Sequence, residues 1–283
     1  MNASTSAPTI AVFDSGFGGL TVLRALLPLY PGGRFIYLGD TARLPYGAKS
    51  QPTIARYAVS SAQFLLAQGA DMLVVACNTA SALALDEIKS ALPIPVVGVI
   101  EPGAIAARAA LNANTVPSTT ESPSPDAQVL VLATAATVQS GAYTRACAAL
   151  RLTAYEKACP LLVPLVEEGW VDHPVTADVI RIYLSEALAE APGVSTMVLG
   201  CTHYPLIRPL IEQVLRDLGR TLMIVDSASA AAHAAALTLP FSGAKNPPQC
   251  SFYATDSIEK FQRLGSAFLG QPLPQVQWID LGG

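Results

Sequence analysis

Charged side chains are scarce in this 283-residue sequence, since only 13% of its residues are Asp, Glu, Lys or Arg. The formal net charge is −4, and a mildly acidic surface attracts neither nucleic acid nor an anionic membrane. Every long apolar run is interrupted by proline or a polar residue, so we expect no membrane-spanning segment. The first eight residues lack the basic and apolar regions of a secretory signal. We therefore expect a cytoplasmic protein that acts on a small molecule.

The five cysteines form an odd-numbered set without C-x-x-C spacing. This pattern argues against a structural zinc site and against a disulfide framework. No phosphate-loop lysine follows the first glycine-rich turn, and no cofactor lysine is apparent. We expect neither a metal nor a cofactor. Cys147, Cys159 and Cys250 have no chemical context and are interpreted as small buried apolar residues.

Short apolar runs alternate with amphipathic segments along almost the whole chain. This alternation predicts an α/β fold with parallel sheets that are flanked by helices on both faces. Ligands of such sheets bind beyond the carboxyl ends of the strands. The predicted strands are 10–13, 35–38, 72–76, 96–99, 129–133, 197–200 and 222–225, and the predicted helices are 20–29, 53–68, 81–91, 178–191 and 206–218.

The chain is long enough to form two domains. A boundary is predicted near Glu101-Pro102-Gly103, with a return near Asp226. The first α/β domain would then comprise residues 1–102 and 226–283, and the second, residues 103–225. Residues 112–126 are rich in Ser, Thr, Pro and Asn, which predicts a mobile surface loop within the second domain.

Two segments, Val74–Ala80 and Val198–Tyr204, share one pattern: an apolar run, a cysteine, and then an amide or hydroxyl side chain. Each predicts a buried strand that presents a thiol where a helix begins. A helix amino terminus stabilises a thiolate, so we expect lowered pKa values for Cys77 and Cys201. Two opposed thiols suit a reaction in which one proton leaves a carbon as another arrives on the opposite face. That reaction is stereoinversion.

Further polar residues follow the other predicted strands. Asp14, at the end of the first strand, either caps a helix or accepts a proton. The glycine-rich turn after it is either a plain turn or an anion-binding loop. Tyr46-Gly47 offers a ring and an accessible backbone amide, and Thr134 and Thr137 occupy the corresponding position in the second domain. His203 is either a proton partner of Cys201 or a helix cap.

These motifs together resemble the glutamate racemases of the aspartate/glutamate racemase family along nearly the whole chain. The resemblance implies cofactor-independent interconversion of L- and D-glutamate, an isomerase reaction that supplies D-glutamate for peptidoglycan and so maintains cell shape. It also implies two pseudo-symmetric domains with the active site in the cleft between them, a homodimer, and a peptidoglycan precursor as an activator. The motifs are residues 13–19, 38–41, 45–47, 76–81, 163–167 and 200–206.

Carried over residue by residue, the resemblance assigns acid/base chemistry to Cys77 and Cys201. Asp14 would assist the first thiol, and His203 with Glu167 the second. The substrate-binding residues would be Asp14, Ser15, Tyr46, Gly47, Asn78, Thr79, Thr137, Thr202 and His203. The family commonly has glycine where this chain has Ala136, which bears on the position of Thr137.

Two other functions fit the same residues. An aspartate racemase would share the two cysteines and differ in its substrate pocket. A non-catalytic amino acid sensor would bind glutamate and leave its Cα–H bond intact. Assays with both amino acids distinguish the first alternative, and retention of the Cα hydrogen distinguishes the second.

Overall fold

The computed structural model describes residues 7–114, 127–241 and 246–282. Its contacts divide the chain into two compact units: unit 1 comprises Met1–Val99 and Ala231–Gly283, and unit 2 comprises Ile100–Ala230. This division concerns packing alone, so the predicted domains, 1–102 with 226–283 and 103–225, stay a prediction.

Ten strands form two fully parallel sheets within the described residues. The sheet of unit 1 has the strand order β10-β9-β2-β1-β3-β4, and that of unit 2 has the order β6-β5-β7-β8. The strands are β1 (Thr9–Asp14), β2 (Arg34–Gly39), β3 (Met72–Val75), β4 (Val96–Val97), β5 (Gln128–Ala133), β6 (Thr153–Ala158), β7 (Thr196–Gly200), β8 (Met223–Asp226), β9 (Gln249–Ala254) and β10 (Val276–Trp278).

Twelve α-helices are present in the same described ranges, with short 3₁₀ turns at Leu27–Leu29, Thr41–Arg43, Tyr46–Ala48 and Tyr204–Ile207. The helices are α1 (Leu20–Leu26), α2 (Gln51–Ala67), α3 (Asn78–Leu83), α4 (Leu85–Ala91), α5 (Ile100–Asn114), α6 (Ala135–Ser140), α7 (Ala142–Ala149), α8 (Leu162–Glu167), α9 (Pro174–Glu190), α10 (Arg208–Asp217), α11 (Ser227–Thr238) and α12 (Ile258–Leu269).

Successive side chains of the central strands of unit 1 point to opposite faces of the sheet. Phe13 and Leu38 belong to a buried core that also includes side chains of α2 and α4. On the other face, the Tyr37 ring packs against Phe261 of α12, with the ring centroids 5.9 Å apart. Both faces are therefore covered by helices, which is why these strands are apolar along their whole length.

Unit 2 has the same layered arrangement. Helix α5 packs against α7 and β7, and α7 also packs against β6. Helix α9 packs against β6 and α10. The register pairs Ala133 with both Ala158 and Gly200. The carboxyl ends of β5, β6 and β7 therefore lie side by side, and the residues that follow them share one edge of this sheet.

The predicted α/β class with parallel, helix-flanked sheets is confirmed. Each of the seven predicted strands overlaps an observed one, whereas the sequence pattern does not predict β6, β9 and β10.

The residues of the predicted domain boundary, Glu101-Pro102-Gly103, lie in the first turn of α5. Proline is tolerated in the first turn of a helix. Of the predicted loop 112–126, the first three residues end α5, and 115–126 lie outside the described residues. Within the described chain, no helix is long and apolar enough to cross a membrane.

Candidate active site

Cys77 is the amino-terminal cap of α3, as the sequence predicts. Its carbonyl oxygen accepts the first helical hydrogen bond from the backbone N–H of Ser81, at 2.8 Å. Its Sγ accepts a hydrogen bond from the backbone N–H of Ala80, at 3.4 Å. The side chain is only 6% exposed. The thiol therefore occupies the place of a capping oxygen, at the positive end of the helix dipole.

Asp14 and Ser15 reach the same edge of the sheet because β1 pairs in register with β3. The Ser15 Oγ lies 3.4 Å from the Cys77 Sγ, close enough for a hydrogen bond in either direction. Asp14 is buried, and its Oδ2 accepts a hydrogen bond from the backbone N–H of Gly16 at 2.9 Å. A Cβ on Gly19 would lie 2.6 Å from the Asp14 Cβ, so only glycine permits this close packing.

The pKa of Cys77 differs from the value expected for a helix-capping thiol. Burial, together with the nearby Asp14 carboxylate, raises the pKa to about 11. Hydrogen bonds from Ser15 and Ala80 oppose this shift and are outweighed. The predicted lowering for Cys77 is therefore wrong. Removal from water disfavours the charged thiolate more than the helix terminus favours it, so Cys77 is held as a neutral thiol.

The first turn of α3 presents Asn78 and Thr79, both buried, directly after the thiol. Ser81 holds this turn in place. Its hydroxyl donates to the carbonyl oxygen of Val75 at 2.9 Å, and its oxygen accepts from the backbone N–H of Val99 at 3.3 Å. One side chain thus ties the end of β3 to the start of α3, a role that the sequence pattern alone does not indicate.

Tyr46 and Gly47 lie on the loop that follows β2. The Tyr46 phenol is buried, and its hydroxyl donates to Asp40 Oδ2 at 2.6 Å. Gly47, the next residue, is exposed. The phenol therefore serves the loop itself, and the exposed part of the pair is the backbone of Gly47.

Cys201 follows directly after β7 and is 6% exposed, as is Cys77. It does not cap an α-helix. The backbone N–H of Tyr204 bonds to the Cys201 carbonyl at 3.2 Å, and a 3₁₀ turn precedes α10, which begins at Arg208. An α-helix starting here would need an N–H from residue 205, and Pro205 has none. The predicted helix start at the second cysteine is therefore wrong, and Pro205 is the reason.

Thr202, His203 and Glu167 form one group beside Cys201. The His203 Nε2 lies 3.3 Å from Glu167 Oε1, and the Thr202 hydroxyl lies 3.3 Å from His203 Nδ1. His203 and Thr202 are buried, while the Glu167 carboxylate, at the end of α8, keeps 18% of its surface exposed. Both ring nitrogens thus lie 3.3 Å from polar side-chain oxygens.

Thr134 and Thr137 lie at the start of α6, at the same edge of the sheet as Cys201. Their hydroxyl oxygens are 3.0 Å apart, and Thr137 is fully buried. Ala136 lies between them in the first turn. The backbone is regular α-helix here, so the alanine is accommodated without strain.

The predicted site residues fall into two groups, one at the strand ends of each sheet. Asp14, Ser15, Tyr46, Gly47, Cys77, Asn78 and Thr79 belong to unit 1, and Thr137, Glu167, Cys201, Thr202 and His203 belong to unit 2. Contacts join Ser15 to Cys77 in the first group, and Thr202 to His203 and His203 to Glu167 in the second. Among the described residues, no three His, Cys, Asp or Glu side chains are grouped to hold a metal ion.

Chemically, each group contains one buried thiol and several neutral hydrogen-bond donors. A buried thiol can give or take a proton at a substrate atom in contact with it. Hydroxyl, amide and backbone N–H groups can bind carboxylates at helix termini without adding positive charge.

Residues 21–235 match the family model described as "Asp/Glu/Hydantoin racemase". A relative described as glutamate racemase from Koribacter versatilis is 48% identical over 99% of this chain and 100% of the relative. The solved glutamate racemase of Thermus thermophilus, in complex with β-chloro-D-alanine, is 40% identical with a TM-score of 0.82, covering 99% of each chain.

Two further solved structures hold glutamate. Francisella tularensis glutamate racemase in complex with D-glutamate is 33% identical with a TM-score of 0.84, covering 98% of this chain and 99% of that one. Escherichia coli glutamate racemase in complex with L-glutamate and the activator UDP-MurNAc-ala is 25% identical with a TM-score of 0.71, covering 98% of this chain and all of that one. With a family model and relatives that match along its length, the chain belongs to the Asp/Glu/hydantoin racemase family.

Proposed function

We propose that this protein interconverts L- and D-glutamate and uses Cys77 and Cys201 as its two acid/base residues. The observation that carries the proposal is the pair of buried thiols, each at the carboxyl end of a parallel strand and each followed by amide or hydroxyl side chains. The high identity to glutamate racemases over the full chain supports glutamate as the substrate.

The reaction needs two groups because the α-hydrogen of an amino acid is only weakly acidic. One cysteine, as thiolate, takes this hydrogen from one face of Cα while the other, as thiol, donates a proton to the opposite face. Family resemblance gives Cys201 the L-enantiomer and Cys77 the D-enantiomer as the substrate to be deprotonated. In the L-to-D direction, Cys77 is therefore the donor.

The raised pKa of Cys77 suits this donor role. With a pKa of about 11, almost every Cys77 side chain carries its proton at neutral pH. For the reverse direction the thiolate must form, and the positive α-ammonium group of an arriving amino acid would favour it. We infer that substrate binding itself supplies part of the activation of Cys77.

Cys201 has a different helper. His203 follows it by two residues and is oriented by Glu167 on one nitrogen and Thr202 on the other. An imidazole held in this way can accept a proton from a nearby thiol or return one. We propose that His203 activates Cys201, and that Glu167 positions His203.

Substrate binding would fall to neutral donors. Ser15, the Gly47 backbone, Asn78 and Thr79 would contribute from unit 1, and Thr137 with Thr202 from unit 2. Because these groups are uncharged, they bind the substrate carboxylates without placing a positive charge near the thiolate. The negative charge of the thiolate is therefore not neutralised. Asp14 would contact the substrate and would also keep the pKa of Cys77 raised.

D-Glutamate made in this way would supply peptidoglycan synthesis. A peptidoglycan precursor remains the proposed activator, supported by the Escherichia coli relative that was solved with UDP-MurNAc-ala. The homodimer and the cytoplasmic location also stay predictions, and sedimentation of the purified protein would test the first.

Circular dichroism of L-glutamate incubated with the purified protein tests the proposal directly. The ellipticity should decay to zero as the racemic mixture forms, and a parallel incubation with L-aspartate should stay constant. Loss of the aspartate signal at a comparable rate would favour an aspartate racemase.

Turnover in D₂O separates catalysis from binding alone. The two-base reaction should place deuterium at Cα of the product enantiomer from the first turnovers. Product that retains protium would contradict two bases, and calorimetric glutamate binding with no exchange at Cα would identify a sensor.

A further inference from the structure

The loop that carries Tyr46 and Gly47 is organised around one buried carboxylate. Asp40 is completely buried just after β2. Its Oδ2 accepts from the Tyr46 hydroxyl at 2.6 Å, and its Oδ1 accepts from the Thr255 hydroxyl at 3.0 Å. The Arg43 Nη1 lies 3.4 Å from Oδ2 and completes an ion pair. Asp40 thus joins Arg43 and Tyr46 of this loop to Thr255, which follows β9.

Arg43 extends the same network to the last described residues. Its Nη2 donates to the carbonyl oxygen of Leu281 at 3.0 Å and also to that of Gly282. The guanidinium lies over the Tyr57 ring, 4.5 Å from the centroid, and the side chain is only 9% exposed. A planar guanidinium spreads its N–H donors over two terminal nitrogens and so reaches a carboxylate and two carbonyls at once, whereas a lysine has only one nitrogen with which to contact them.

The segment 278–282 is itself anchored to unit 1. The Trp278 Nε1 donates to the carbonyl of Thr255 at 3.1 Å, and the backbone N–H of Ile279 donates to Ala254 at 3.0 Å. The side chains of Ile279 and Leu281 pack against the buried core of this unit. The two carbonyls are therefore presented to Arg43 by a fixed segment.

The geometry points to segment 278–282 as a positioning element: acting through Arg43 and Asp40, it holds the Tyr46-Gly47 loop in the conformation that binds substrate. This inference rests on the proposed function for the substrate contact of Gly47. Arg43 and Asp40 are positioning residues here, since their contacts are with the loop, with Thr255 and with segment 278–282. Without Asp40 the Tyr46 phenol would lose its buried acceptor, and without Arg43 the Asp40 carboxylate would lose its ion-pair partner. In either case the loop would open more often.

Two variants test the proposal in the full chain. Arg43→Met keeps an apolar stem against Tyr57 and removes every donor, and deletion of residues 281–283 removes the two carbonyls. In both, amide hydrogen exchange in a peptide covering residues 41–50 should become about tenfold faster. The KM for L-glutamate should rise about three- to tenfold while kcat changes less than about twofold.

Three further variants sharpen the result. Arg56→Met is the matched control, because its guanidinium also lies over Tyr57, at 5.2 Å, from an exposed position. It should leave exchange and KM unchanged. Arg43→Lys should restore part of the protection. The Arg43→Met chain that also lacks 281–283 should be no worse than the more affected single variant, because the two changes break one connection.

Unchanged exchange in Arg43→Met and in the truncated chain would overturn the proposal, as would fully additive effects in the double variant. If amide exchange in residues 41–50 rises while KM stays constant, segment 278–282 holds the loop without serving substrate binding. The proposal is then equally wrong. Should the unmodified protein fail to racemise glutamate, the proposed function fails. Amide exchange in residues 41–50 still decides whether segment 278–282 holds the loop.

Discussion

The two cysteine sites follow similar sequence patterns and differ in local structure. Cys77 caps α3 and receives a backbone hydrogen bond on its sulfur, with Ser15 beside it. Cys201 precedes a 3₁₀ turn and has a His203–Glu167 pair nearby. The difference originates four residues after each cysteine, where Ser81 donates an N–H and Pro205 cannot. One thiol therefore lies at an α-helix terminus beside a hydroxyl, and the other lies before a 3₁₀ turn that follows His203.

The strongest test asks whether both sites are required. Cys77→Ser and Cys201→Ser should each lower kcat by at least about a thousandfold, because a hydroxyl is far less acidic than a thiol. Circular dichroism of glutamate measures the rate, and far-ultraviolet spectra check the fold. Cys250→Ser, in β9, is the control and should retain full activity. Substantial turnover by either of the first two variants would remove that cysteine from the mechanism.

The helper of the second site can be removed separately. His203→Asn should lower kcat about a hundredfold, within the usual contribution of a general acid or base. Glu167→Gln should have a smaller effect, since it alters only the orientation and charge of the imidazole. L- and D-glutamate have equal free energies, so kcat/KM must fall equally in both directions. An unequal fall would reveal a fault in the assay, and full activity of His203→Asn would exclude the proposed helper.

Alkylation reports the protonation of the first site. Because burial and Asp14 raise the pKa of Cys77 to about 11, its labelling by iodoacetamide should keep accelerating from pH 7 to pH 10 without a plateau. Asp14→Asn removes a negative charge that disfavours the thiolate, so labelling should be faster at each pH. Mass spectrometry of the Cys77 peptide gives the rates. A plateau near pH 8 in the unmodified protein would contradict the raised pKa.

The smallest expected effect concerns the support of the helix cap. Ser81→Ala removes the hydroxyl between Val75 and Val99 and should lower the free energy of unfolding by about 1–2 kcal/mol, because both backbone groups are buried. Urea unfolding measures the change. Ser90→Ala loses a comparable bond at an exposed position and should cost less than about 0.5 kcal/mol. Equal losses would mean that burial is not what makes Ser81 important.

The sequence is most informative where one local rule decides the structure. Apolar β-branched runs predict the central strands, and the capping position of Cys77 follows from the strand before it. The polar strand β6, Thr153–Ala158, was missed because its residues are half-buried and carry little apolar pattern. Pro205 is part of the second cysteine motif, and it excludes an α-helix cap at Cys201 because it has no N–H to donate.

The pKa of Cys77 and the contacts of Asp40 could not be predicted in the same way. The first depends on how much water burial removes, which a sequence pattern does not give. The second joins Asp40 to Thr255, and Arg43 to Leu281, across more than two hundred residues. Such pairs have no local signature, so they emerge only from the fold.

The order of the strands in the first sheet also bears on how the chain folds during synthesis. Strand β2 pairs with β9 over six residues, from Arg34 with Gln249 to Gly39 with Ala254, whereas unit 2 is one continuous stretch, 100–230. Unit 2 can therefore form as soon as its own residues have left the ribosome. Unit 1 must wait, with one side of β2 unpaired, until β9 has been synthesised, and during that interval the open edge of β2 is a site for aggregation.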